Sequence, residues 1–172
     1  MRDNATALQK RQRGTSMRNS AAASLSVSIR ELPSVHAACI SYTASDEQHD
    51  LHNEIGDCFR HVQAWVREHG YDPFATLTIG VPALVGGRLS SYECCIEVPE
   101  DVQGGSSGVG VKELPGGRYA VVSIEKDPAI IGDAIGRFYQ EYVPQNALKI
   151  DGRRPTYEIY YASMMEYCVP LL

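Results

Sequence analysis

Glu158 stands in "TYEIYY", residues 156–161, with strand-forming and aromatic neighbours on both sides. Strand alternation puts Glu158 on one face with Thr156 and Tyr160, and Tyr157, Ile159 and Tyr161 on the other. From the residues alone two readings of this carboxylate are open: an edge-strand charge facing water, or an acid held among rings. The second suits recognition of a lipophilic cation. Each aromatic face attracts a cation by roughly 0.5 to 2 kcal/mol, and a carboxylate in a low-dielectric cup adds a directional counter-charge. The group also suits a general base for water, with Tyr160 orienting an electrophilic substrate. No Ser-His-Asp set or Cys-His pair is spaced for nucleophilic catalysis.

The elements that must position Glu158 occur twice. "SIRELPSVHAACI" at 28–40 and "GVKELPGGRYAVV" at 110–122 each read as a strand broken at a proline, which cannot donate a ladder hydrogen bond. The two prolines are expected to bend equivalent strands at the outer surface and to mark where each copy starts. After the first, Leu51, Ile55, Cys58, Val62 and Trp65 or Val66 recur at helical spacing. "TLTIGVPALV" and "SSYECCIEV" then read as strands joined across Gly86 and Gly87. After the second, Ile131, Ile135, Phe138 and Tyr142 mark a helix that Pro144 should end, followed by strands "PTYEIYYA" and "YCVPLL". An offset of 80 aligns Ile55-Gly56 with Ile135-Gly136 and Ile79 with Ile159, and an offset of 73 aligns Ile96 with Val169.

The expected fold is therefore α+β: tandem strand-helix-strand-strand repeats in an antiparallel sheet of about eight strands. Two main helices lie on one face, with a ligand cleft at the pseudo-twofold. Repeat one covers residues 26–100, a Gly/Ser-rich linker 101–108 and repeat two 109–172, while residues 1–25 read as a disordered leader with Met17 as a second candidate start. Thr78, Gly80 and Pro82 are the first-half counterparts on the Glu158 face, small residues that leave volume. Candidate lining residues are Glu158, Tyr160, Thr78, Tyr139, Tyr119, Trp65 and Tyr42, with Tyr92 a weaker one. Trp65 also satisfies a core face, and Tyr119, which replaces Ala37 in the repeat, also reads as an ordinary half-buried strand tyrosine.

Composition narrows the classes. The 172 residues carry a net charge of −5; residues 1–25 hold five basic residues against Asp3, a local +4, which leaves −9 on the remainder. An acidic body disfavours phosphate backbones, and residues 1–25 show no helical pair for a helix-turn-helix, so direct DNA binding is not expected. No apolar run approaches the ~18 residues of a membrane helix, and no secretory signal is seen. The five cysteines form no C-x-x-C pair and read as reduced core thiols of a cytoplasmic protein. The histidines, with His49, His52 and His69 expected to face solvent, complete no ligand set, so neither metal nor cofactor is expected.

Tyr139–Asn146, "YQEYVPQN", resembles the Tyr-x-x-Trp-Leu-Pro-x-Ser pattern of the GyrI-like small-molecule-binding domain, with Tyr142 for Trp and Asn146 for Ser. Pro155–Tyr160 is similar to that family's Pro-x-Phe-Glu-x-Tyr, Val169-Pro170 to its terminal Ile-Pro, and "SYECCIEV" to its Tyr-Asp-x-Cys-Ile-x-Val strand. The resemblance spans about residues 26–172. It implies the effector-binding module found alone and fused to AraC-type and MerR-type bacterial regulators, with Glu158 as the pocket acid of drug-binding members. The chain is thus expected to be a stand-alone binder of amphipathic or cationic small molecules, for sensing, sequestration or multidrug resistance, with a homodimer or protein partner open. The family also implies two alternatives: a hydrolase of reactive ring-containing natural products, using Glu158 and Tyr160, and a protein inhibitor of DNA gyrase.

Overall fold

Each Glu-Leu-Pro sequence splits one strand into two. In the computed structural model, which describes residues 24–44 and 51–172, β1 (Ser26–Leu32) ends before Pro33 and β2 (Val35–Thr43) starts after it. β5 (Gly110–Leu114) and β6 (Gly117–Glu125) flank Pro115 in the same way. Met17, His49 and nearly all of the N-terminal leader lie outside the described residues. The other elements are α1 (Leu51–Glu68), β3 (Thr78–Val85), β4 (Arg88–Glu97), α2 (Pro128–Arg137), a π-helical turn (Phe138–Tyr142), α3 (Val143–Gln145), β7 (Tyr157–Tyr160) and β8 (Met164–Pro170).

All eight strands form one antiparallel sheet in the order β1-β6-β8-β7-β3-β4-β2-β5. The order is symmetric about the β7–β3 pair, with β1 and β5 exchanged between the halves. The central ladder pairs Thr78 with Tyr160, Ile79 with Ile159, and Gly80 with Glu158. Ile79 therefore faces its own repeat counterpart, which places the pseudo-twofold between them. At one end the two broken strands meet. Leu32 pairs with Gly117 and Val35 with Leu114, and a Cβ on Gly116 would lie 2.3 Å from the Leu32 carbonyl oxygen. The bends pack on each other and draw the two edges of the sheet together, a closure that the sequence reading, with each bend on the surface of its own half, did not contain.

Strand alternation divides the core. Ala37, Ile79, Cys95, Tyr119, Val121, Tyr157 and Ile159 are buried on the concave, helix-free face. On the other face, Ala38, Tyr92, Cys94 and Ile96 pack under Val62, Trp65 and Val66 of α1, and Ala120, Val122, Tyr167 and Val169 pack with Phe138. Gly70, at φ +87°, closes α1, and Gly86 and Gly87, both with positive φ, make the tight β3–β4 turn.

Four sequence expectations need correction. Pro144 does not end the second helix: α2 widens into a π turn, in which Val143 N–H bonds Phe138 O, and Pro144 sits in the short α3 that follows. The wider turn accommodates a ring that would crowd a regular α-helix. The final strand starts at Met164, extending the predicted "YCVPLL" toward its N-terminus. The 99–108 stretch is docked: Val102 is buried, its carbonyl pairs with His36 Nε2 at 2.9 Å, and Ser106 Oγ accepts from the Trp65 indole at 2.9 Å. Finally, Cys39 and Cys95 face each other across β2 and β4, Cα atoms 4.2 Å apart, and are joined as a disulfide. Strand register brings them together, which sequence spacing conceals, and a cytoplasmic setting no longer follows from five reduced thiols. No described helix is long and apolar enough to cross a membrane.

Candidate ligand-binding site

β7 lies inside the sheet between β8 and β3, so Glu158 is not an edge charge. Its side chain faces the helices, at the pseudo-twofold. Tyr92 of β4 donates from its hydroxyl to Glu158 Oε2 at 2.5 Å, and Tyr160 donates to the same oxygen at 2.6 Å. The two phenol oxygens are 2.7 Å apart. Tyr92 reaches across β3 because Gly80 lies beneath it: a Cβ there would stand 1.8 Å from the Tyr92 hydroxyl oxygen. Among the described residues no Lys, Arg or His pairs with Glu158, and no hydrogen bond reaches its Oε1.

Aromatic side chains from both helical runs close over this carboxylate. Phe59 of α1 meets the rings of Tyr160 and Tyr92 edge-on, at centroid distances of 5.8 and 6.3 Å. Tyr139, at the same place in the second repeat, leaves the π turn toward Tyr167, hydroxyl to hydroxyl at 3.2 Å. Tyr167 is the β8 neighbour of Glu158. Burial, followed by the Glu158 charge, pushes the Tyr92 and Tyr160 phenols far above their ordinary range; burial and the Tyr139 hydroxyl do the same for Tyr167. All three are therefore neutral hydrogen-bond donors at physiological pH.

Of the residues singled out in the sequence, Glu158, Tyr160 and Tyr139 come together here. The cross-strand neighbour of Glu158 is Gly80, while Thr78 faces Tyr160. Tyr42 lies beside Tyr92, but its hydroxyl donates to Glu54 of α1. Trp65 belongs to the core under α1, stacked on His69 with centroids 3.7 Å apart. Tyr119 is fully buried on the opposite face of the sheet, donating to the Pro115 and Pro155 carbonyls. Alternation from Ala120, which packs under the second helical run, dictates that placement. Sequence reasoning undervalued Tyr92 and missed Phe59 and Tyr167. Phe59 carries a signal, since the offset of 80 that aligns Gly56 with Gly136 also aligns Phe59 with Tyr139.

Among the described residues no group of three His, Cys, Asp or Glu side chains could hold a metal. Burial pushes the Cys168 thiol up to about 12 and the Cys94 thiol higher still, so neither is a ready thiolate.

Comparisons with known proteins agree with this architecture. Curated proteins give no match. Among solved structures, EcmrR in its DNA complex superposes with a TM-score of 0.68 at 12% identity, over 86% of this chain and 57% of that one. The chain thus spans just over half the length of EcmrR. It covers 98% of the isolated EcmrR C-terminal domain, with 86% of this chain matched, a TM-score of 0.63 and 11% identity. SAV2435 bound to tetraphenylphosphonium gives 0.57 at 16% identity, over 86% of this chain and 94% of that one. A hydrolase from Listeria innocua gives 0.59 at 10% identity, over 85% and 91%. At these identities the likeness is one of fold. The model of the GyrI-like small-molecule-binding domain matches residues 25–171, and the chain belongs to that family.

Proposed function

We propose that this domain binds lipophilic organic cations, with Glu158 as counter-charge and Tyr92, Tyr160, Phe59 and Tyr167 as the surrounding aromatic surface. One observation carries the reading: a carboxylate enclosed by rings has two neutral phenol donors and no cationic partner among the described residues. Glu158 is half-buried, and a partly desolvated carboxylate with neutral protein partners favours a cationic ligand. A ligand cation removes that deficit and gains the ring faces as well. The phenols hold Oε2 in place and leave Oε1 for the ligand.

The test is thermal stabilisation by tetraphenylphosphonium and by the neutral triphenylphosphine oxide, in wild type and Glu158→Gln. The expected result is a shift with the phosphonium in wild type only. Equal shifts with both compounds, or in both proteins, would remove the electrostatic part of the reading. The paired phenols on one carboxylate also fit a general base that draws a proton from water. Consumption of an epoxide by wild type and not by Glu158→Gln would assign hydrolysis instead.

A further inference from the structure

Tyr160, whose hydroxyl meets Glu158, also lines an open cavity of about 670 Å³ together with Gln63, Phe74, Thr78, Glu97 and Lys126. Lys126 stands where β6 passes into α2, and its Nζ lies 5.7 Å from the Tyr160 ring centroid. That ammonium donates to the Tyr161 carbonyl at 3.0 Å and has no carboxylate partner among the described residues. Glu97, the acid in the same lining, instead takes the Leu77 backbone N–H on its Oε2 at 3.1 Å. The cavity thus holds an ammonium whose protein partners are a neutral carbonyl and a ring. One phenol ring away, the Tyr160 hydroxyl meets Glu158.

We infer that this cavity is a second subsite, which takes an anionic group of the ligand on Lys126 while the ligand cation faces Glu158. The inference rests on the cation-binding reading above. It narrows the ligand class from lipophilic cations at large to aromatic zwitterions, whose cation lies near the Tyr160 hydroxyl end beside Glu158 and whose carboxylate lies by the ring beside Lys126. Phe74, which is 68% exposed, supplies apolar surface to the same cavity. A carboxylate on Lys126 gives that ammonium an oppositely charged acceptor, where its protein acceptor is a neutral carbonyl.

Rhodamine B and its ethyl ester test this, because they share one cationic ring system and differ in a free carboxylate. Their dissociation constants are measured by fluorescence with wild type, Lys126→Met and Lys126→Arg. The inference predicts that Lys126→Met weakens the acid about ten-fold and leaves the ester unchanged, with Lys126→Arg retaining the acid. Equal losses for both dyes, or no loss for either, would overturn the subsite and leave cation binding standing. Failure of the ester to bind wild type would instead overturn the cation-binding reading and this inference with it.

Discussion

A Cβ on Gly80 would lie 1.8 Å from the Tyr92 hydroxyl oxygen, so the absence of a side chain on β3 lets a β4 tyrosine reach a β7 carboxylate. Gly80→Ala is expected to displace the Tyr92 ring and break its bond to Glu158. Removing a hydrogen bond to a charged group costs about 2 kcal/mol, to be read as a lower Tm together with weaker phosphonium binding. Tyr92→Phe, which keeps the ring and removes the donor, should weaken binding with a smaller fall in Tm. Unchanged melting and binding in the Gly80→Ala variant would mean that Tyr92 does not organise the site. Glu158 and Tyr160 were legible in the sequence because local alternation places them on one face. Gly80 and Tyr92 became partners only through the β3–β7 register, which pairs residues almost 80 positions apart and leaves no local trace. The same limit explains the disulfide, which joins residues 56 positions apart.

The second helical run shows what an element adds to its residues. At its start Asp127 caps α2, accepting the Ala129 N–H on Oδ1 at 2.9 Å, and Pro128 occupies the first turn. Asp127→Ala should cost about 1 kcal/mol in chemical denaturation. An unchanged midpoint would show that the packing of the run, rather than its cap, holds it. The π turn was not readable, because helical spacing of Ile131, Ile135 and Phe138 fits an α-helix as well. Its effect is local to the site: Phe138 is fully buried while the adjacent Tyr139 turns toward Tyr167. Pro82 stands inside β3, a central strand, although a proline cannot donate a ladder hydrogen bond. The β7 ladder stops at Gly80, so no strand on that side asks Pro82 for a hydrogen bond.

At the scale of the whole molecule, the duplication was legible as order and offset, whereas the exchange of β1 and β5 was not, since a broken strand pairs equally well within its own half. The exchange makes the two Glu-Leu-Pro bends touch, and Arg154 secures that end. It pairs with Asp151 at 2.9 Å and donates to the Gly116 carbonyl at 3.1 Å and the Leu171 carbonyl at 2.5 Å. The Arg154 hydrogen bond, followed by the Arg153 N–H, holds the Asp151 carboxyl below its usual range. A depressed carboxyl stabilises the fold above its unfolded pKa, near 4, and loses that contribution as pH falls through the folded value. Asp151→Asn should therefore melt below wild type at pH 7, and the gap should close below about pH 4. A gap independent of pH would assign Asp151 a packing role alone. The central claim, that Glu158 and the rings around it form a cation site, is tested most directly by calorimetric titration of the phosphonium into wild type and Glu158→Gln. The account predicts saturable binding that weakens at least about ten-fold in the variant; equal dissociation constants for the two proteins would contradict it.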